Sequence, residues 1–216
     1  MNVITLTPPS VEPVTLQQCY DHLRLTPEDS PRTHPDDAML ERQIKSARVD
    51  VENKTRRAFV KQKLRAVLGP TDHCWPWPTA YRSWWGGQPR GIELPRPPLL
   101  SVVQASYYDA EGVLVIVDPD DYWVTEDDPA QLFFSTGYIV PSVYPRADAL
   151  RVDFWAGYQP EGSPEDDFVS NVPEPIKSAI LLGVELQYEA LDPRQREMLE
   201  KAQSELLVPY TSFVVV

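Results

Sequence analysis

A bound metal needs several histidines, cysteines or carboxylates inside one coordination sphere, and the chain offers three histidines and two cysteines for that purpose. Only Asp72, His73 and Cys74 bring such groups together along the sequence, and no second pair stands at the spacing a zinc site uses. The carboxylate runs from Asp118 to Asp121 and from Glu126 to Asp128 have the oxygen chemistry of a calcium loop. They lack its glycine and its closing glutamate, and so read as solvated turn carboxylates. A nucleophile is no easier to find. No serine stands in a glycine-flanked elbow, the Trp84-Trp85-Gly86-Gly87 segment is a turn rather than a phosphate loop, and the paired carboxylates lie in charge runs. The residues therefore predict no metal, no cofactor and no catalytic group.

Two other stretches raise the question of association. The ending ELLVPYTSFVVV is almost uncharged, follows a charged helical pattern and contains Pro209, which ends that helix. It is too short to cross a bilayer. It reads either as a last strand on the protein's own sheet or as an arm that buries Leu206, Leu207, Tyr210 and Phe213 against another chain. The segment IELPRPPLLSV places Pro95, Pro97 and Pro98 between apolar runs. Each proline lacks an N–H and fixes φ, so this is either a polyproline ligand of P-x-x-P spacing or a stiff lead-in to a strand.

The elements that must position these stretches follow from periodicity. Thr15 and Gln18 form a capping-box pair, and Leu16, Cys19, Tyr20 and Leu23 share one face of the helix they open. A longer helix from Asp36 carries Leu40, Ile44, Ala47, Val51 and Thr55 on one stripe, with Glu41, Arg42, Lys45 and Arg48 away from it. The period then drops to 2. Val60, Leu64, Ala66 and Leu68 alternate with Lys61, Lys63, Arg65 and Val67, with Gln62 interrupting the apolar set. A tryptophan-rich loop follows, holding Trp75, Trp77, Trp84 and Trp85. Short β-branched and aromatic runs come next, the last with Leu150, Val152 and Phe154 facing a core and Arg151, Asp153 and Trp155 facing water. The helical period returns with Ile176, Ala179, Ile180, Gly183, Val184, Gln187 and Leu191 on one side, Gly183 allowing close backbone approach. A final helix has Asp192 as N-cap and Pro193 at its first position.

Helices, strands, then helices again give an α+β fold, an α-helical core with an inserted antiparallel β region. The expected parts are residues 1–59, 60–158 and 159–216, forming one compact unit. With 216 residues the chain can bury a real core, and 23 prolines against 9 glycines make it stiff. Cys19 and Cys74 read as unpaired thiols, and the start lacks a secretory pattern, which points to a chain made in the cytoplasm. A net charge of −12 excludes affinity built on neutralising phosphates, while an acidic surface lets a nucleic acid strand pass without sticking.

The blocks IELPRPPLLSVVQASYYDAEG, VDFWAGY, VPEPIKSAILLGVELQYE and LLVPY, in this order, resemble the head–tail connector, or adaptor, proteins of long-tailed bacteriophages and gene transfer agents. The resemblance spans residues 15–210, and residues 75–85 match no part of it. It implies a structural virion protein, assembled in the host cytoplasm, that forms a dodecameric ring below the portal and prolongs the DNA channel without reading sequence. It also implies two further partners, the portal and the next connector or tail component, with no membrane contact. The family's C-terminal docking segment maps onto Leu206, Leu207, Pro209, Tyr210, Phe213, Val214, Val215 and Val216. Under the same resemblance the prolines become stiffeners and edge blockers of the β region. Two alternatives stay open: a head-closure protein of the same connector, and an acidic hydrolase or carbohydrate-binding module using Trp75, Trp77, Trp84 and Trp85 as a platform.

Overall fold

The computed structural model describes residues 1–26, 34–72, 75–76, 91–135, 137–139, 142–158 and 171–211. It is an α+β protein in two compact units, one of Met1–Pro8 with Lys61–Gly157 and one of Pro9–Val60 with Tyr158–Val216. The first eight residues group with the strands rather than with the helices.

The helical unit follows the periodicity closely. Helix α1 (Leu16–Leu23) is opened by the Thr15–Gln18 capping box: the Gln18 N–H donates to Thr15 Oγ1 at 3.3 Å and the Thr15 N–H to Gln18 Oε1 at 2.9 Å. It buries Cys19, Tyr20 and Leu23. Helix α2 (Asp37–Thr55) buries Leu40, Ile44, Ala47, Val51 and Thr55. It also buries Arg48, which the charge pattern places outside; the reason is a pair of carboxylates described below.

Helix α3 (Glu174–Tyr188) packs on α2 through Ile176, Ala179, Ile180, Gly183 and Val184. Gln187 is exposed and Leu191 lies past the helix end, so the buried stripe is shorter than its sequence pattern. Helix α4 (Pro193–Leu207) begins with a second capping box, in which Asp192 Oδ1 accepts from the Gln195 N–H and Gln195 Oε1 from the Asp192 N–H. At Gly183 a Cβ would lie 3.0 Å from Gln203 Nε2 and 3.1 Å from Ala47 Cβ, so glycine is what lets α2 and α4 come this close to α3.

The other unit holds two sheets. In the larger, β1 (Asn2–Thr7), β2 (Gln62–Leu68), β8 (Leu150–Ala156), β4 (Leu99–Tyr108) and β5 (Leu114–Ile116) lie side by side in that order, each antiparallel to its neighbour. The smaller sheet has the order β3 (Ile92–Glu93), β7 (Gln131–Phe134), β6 (Tyr122–Val124). Strand β1 corrects the expectation of a purely helical first part: Asn2 to Thr5 run in register against Val67 to Leu64. On β2 and β8 the alternation predicts Leu64, Ala66, Leu68, Leu150, Val152 and Phe154 inside, and all are buried.

Asp153 departs from the pattern. It is buried although its place in the alternation is the wet face, because Arg65, directly opposite in register, donates from Nε and Nη2 to its two carboxylate oxygens at 2.6 and 2.8 Å. The proline block lies between β3 and β4. Pro97 is buried and Arg96 has φ +62°, a left-handed conformation incompatible with a displayed polyproline helix, so the lead-in reading holds and the ligand reading does not.

Candidate assembly surfaces

At the C-terminal end, α4 stops at Leu207 and Pro209 sits in a one-turn 3-10 helix, Val208–Tyr210. Of the residues expected to dock onto another chain, Leu207 is only 3% exposed and belongs to the core formed with Val14, Leu40, Ile44 and Ile180. Leu206 and Tyr210 pack against that core. The Tyr210 carbonyl accepts from Arg57 Nε at 2.7 Å, and Thr211 Oγ1 donates to the Leu207 carbonyl at 3.1 Å. Val208 and Pro209 face outward. Phe213, Val214, Val215 and Val216 lie outside the described residues. Up to Thr211, then, the ending is helix and turn, not a strand, and Leu207 faces inward because it continues the buried side of α4 one turn after Gln203.

The root of this segment is held by buried polar groups that periodicity alone does not reveal. Gln203, 1% exposed, donates from Nε2 to the Ala179 carbonyl at 2.8 Å and accepts at Oε1 from Lys54 Nζ at 2.7 Å. It thereby ties α4 to both α3 and α2. Arg48 donates from Nε to Glu12 at 2.7 Å and from Nη1 to Glu52 Oε2 at 2.8 Å, while Glu52 Oε1 accepts the Phe59 N–H at 2.9 Å. Burial works to lower the Arg48 pKa, and the two carboxylates outweigh it, so the guanidinium is held more firmly charged than usual. Glu52 lies one turn beyond Arg48, a spacing that signals the pair, whereas Glu12 and Phe59 are visible only in the fold.

The sheet unit leaves several apolar and aromatic groups exposed around its own buried core. Ile4 and Leu6 on β1, Val113, Leu114 and Ile116 at β5, and Trp123 on β6 are exposed. Trp123 stacks on Phe133 with ring centroids 4.7 Å apart. Arg146 and Arg151 lie over the Tyr108 ring at 4.0 and 4.7 Å and both donate to Asp148. Those hydrogen bonds hold the Asp148 carboxyl down to about 2.

Among the described residues no three His, Cys, Asp or Glu side chains gather to hold a metal ion, and His73 and Cys74 lie outside those residues. Cys19 is buried, and burial pushes its thiol up to about 11, away from the thiolate that would react. In the first acidic run Asp118 closes a backbone turn by accepting from the Asp120 N–H, as Asp109 does between β4 and β5 with the N–H groups of Glu111 and Val113. Trp75 is 2% exposed, which removes it from any exposed aromatic platform, and Trp77, Trp84 and Trp85 lie outside the described residues. Among the described residues no helix is long and apolar enough to cross a membrane.

No protein-family model matches this chain, and no curated protein matches it in sequence. Solved structures do match. A chain in the neck of an empty gene transfer agent particle, computed with C6 symmetry, aligns at a TM-score of 0.70 and 20% identity, covering 100% of this chain and 98% of that one. A chain in the virion of a native gene transfer agent particle aligns at 0.67 and 20%, with the same coverage of both. A chain in the neck of the native particle, computed with C12 symmetry, aligns at 0.65 and 19%, again over 100% and 98%. At these identities the likeness establishes one thing: the chain shares the fold of those particle chains from end to end.

Proposed function

We propose that this protein is a structural virion component of a phage-like neck, an adaptor whose copies form a ring below the portal and link capsid to tail. The observation that carries the reading is the end-to-end likeness to chains of gene transfer agent necks, in which both units are matched and little of either chain is left over. An acidic chain also suits a channel wall that must release DNA. Its partners are further copies of itself, twelve in a full ring, the portal on one side, and the next connector or tail component on the other.

Docking to the portal falls to the C-terminal segment, with the labour divided by burial. Leu207 anchors the segment in its own core, and Leu206 and Tyr210 brace it. Pro209 sits in the exposed turn at its root, and in this reading Phe213, Val214, Val215 and Val216 supply the apolar contact. Each large side chain buried there contributes roughly 1.5–3 kcal/mol before the cost of ordering the arm.

Truncation after Thr211 tests this division, because it leaves the Arg57–Tyr210 hydrogen bond and Leu207 in place. The expected product is a folded, soluble protein that no longer co-sediments with purified portal. Undiminished binding overturns the docking role. Native mass spectrometry of the complex reads the ring directly: many copies in the portal's symmetry are expected, and a strictly one-to-one complex overturns the adaptor assignment.

A further inference from the structure

We infer that neighbouring copies of this chain join edge to edge, the outer side of β1 in one copy pairing with the outer side of β5 in the next. The contact rests on the ring reading above and names the surfaces that would build it. Among the described residues no strand pairs with the outer side of either β1 or β5. Open edges are normally blunted by lysine, proline or inward-pointing charge. Here β1 reads Asn-Val-Ile-Thr-Leu-Thr and β5, with its flanking valines, Val-Leu-Val-Ile-Val, without a charge or a proline in either.

Exposure singles out the same two places. Thirteen large hydrophobic residues are exposed among the described ones, and six of them, Met1, Ile4, Leu6, Val113, Leu114 and Ile116, lie at these edges. Five of the six residues of β1 are exposed, on both faces of the strand. A strand so bare gains little from its own fold beyond its ladder with β2, and a partner strand would cover what is left open.

Charge and strand direction choose the occupant. Residues 1–11 contain no acidic group, and β2 beside them carries Lys63, while Arg65 is engaged by Asp153. At the other edge the exposed carboxylates of Glu111, Asp118 and Asp120 bracket β5, and the nearby Arg146 and Arg151 are engaged by Asp148. Two β5 edges would set acid against acid, whereas a β1 edge against a β5 edge is complementary. In a fully antiparallel sheet of five strands the two edge strands run the same way. A second copy therefore continues the sheet by a parallel pair, and the contact is head to tail, the kind that closes into rings.

Cysteine scanning tests the contact in the full-length chain with Cys74→Ser as background, alone and bound to purified portal, using a short bis-maleimide crosslinker. Ile4→Cys and Ile116→Cys separately should give no crosslink, their mixture dimers only, and the double variant a ladder of dimers, trimers and larger species. Adding Ile4→Lys and Leu6→Lys to a wild-type chain should weaken self-association roughly tenfold or more, since it sets charges into an apolar contact. Dimers from either single variant would mean an edge paired with itself, and no ladder with both cysteines shielded from labelling would mean cover by the chain's own residues. Either result overturns the proposal, as does no ladder with both cysteines open to the label. Portal binding without a ladder removes the edge contact and leaves the adaptor reading standing, and a ladder without portal binding does the reverse.

Discussion

In the helical unit the apolar residues turn inward almost without remainder: among its described large hydrophobics only Val49, Met198 and Val208 are exposed. Two of its buried polar side chains are met from several sides, Arg48 by two glutamates and Gln203 by Lys54 and the Ala179 carbonyl. The sheet unit leaves ten such residues outside, most of them at the ends of its strand order or on the β6–β7 hairpin. A unit that has satisfied its own surface gains stability and has little left to offer a neighbour. The contrast assigns the intrinsic stability of the chain to the helices and its association to the strands, and it can be broken by substitution.

The largest effect is expected at Glu52. Glu52→Ala strips buried Arg48 of one carboxylate and leaves the Phe59 N–H without its acceptor, at a cost of about 3–5 kcal/mol. The shift in the urea midpoint measures it, and a loss below about 1 kcal/mol would show that the helical unit does not depend on its buried charge. Next comes Gly183→Leu, which drives a side chain into Gln203 and Ala47 and should cost about 1–3 kcal/mol by the same assay. An unchanged midpoint there would mean that α4 moves aside freely.

A smaller effect belongs to the sheet unit and depends on pH. The Asp148 carboxyl is held at about 2 against an ordinary value of 3.8, so its contribution is fully present above pH 3.8 and is lost as pH falls towards 2. The group is close to solvent, and screening keeps the contribution under about 1 kcal/mol. Asp148→Asn should flatten that step in a thermal midpoint measured across the window, and an identical acid limb in both proteins would remove the clamp from the account. The smallest effect is the sharpest for the comparison. Ile4→Lys with Leu6→Lys should leave the unfolding free energy of the separated chain within about 0.5 kcal/mol, since both side chains are already exposed. A large loss would mean that β1 supports its own unit rather than a partner.

The parts of the fold that were legible in the sequence are those fixed by neighbours in the chain. Thr15 with Gln18 and Asp192 with Gln195 announce two helix starts because a capping box closes over three residues. Gly183 marks a close helix crossing because nothing else explains a glycine in the middle of an apolar stripe. What escaped depends on distance or on the absence of burial. Strand β1 has no inward face to give it a pattern against polar residues, although Val3, Ile4, Thr5 and Thr7 are strand formers. Asp153 reads as a wet residue until Arg65, 88 positions away, is placed across from it. Leu207 reads as part of an outward arm because Pro209 draws attention to the break in the helix, while its inward direction comes from packing against residues as remote as Val14 and Leu40.

The hydrogen bond from Arg57 to the Tyr210 carbonyl has a mechanical consequence. Arg57 follows Arg56, the C-cap of α2, so the chain near its C-terminus is tied to an element far from α4 in sequence. Tension applied beyond Thr211 meets this tie and the buried Leu207 side chain before it reaches the last turn of α4. The helix is spared a peeling force on its end hydrogen bonds, which would fail one at a time. The load falls first on the guanidinium bond and the Leu207 core contact, where failure requires several contacts to open together rather than the fraying of one turn.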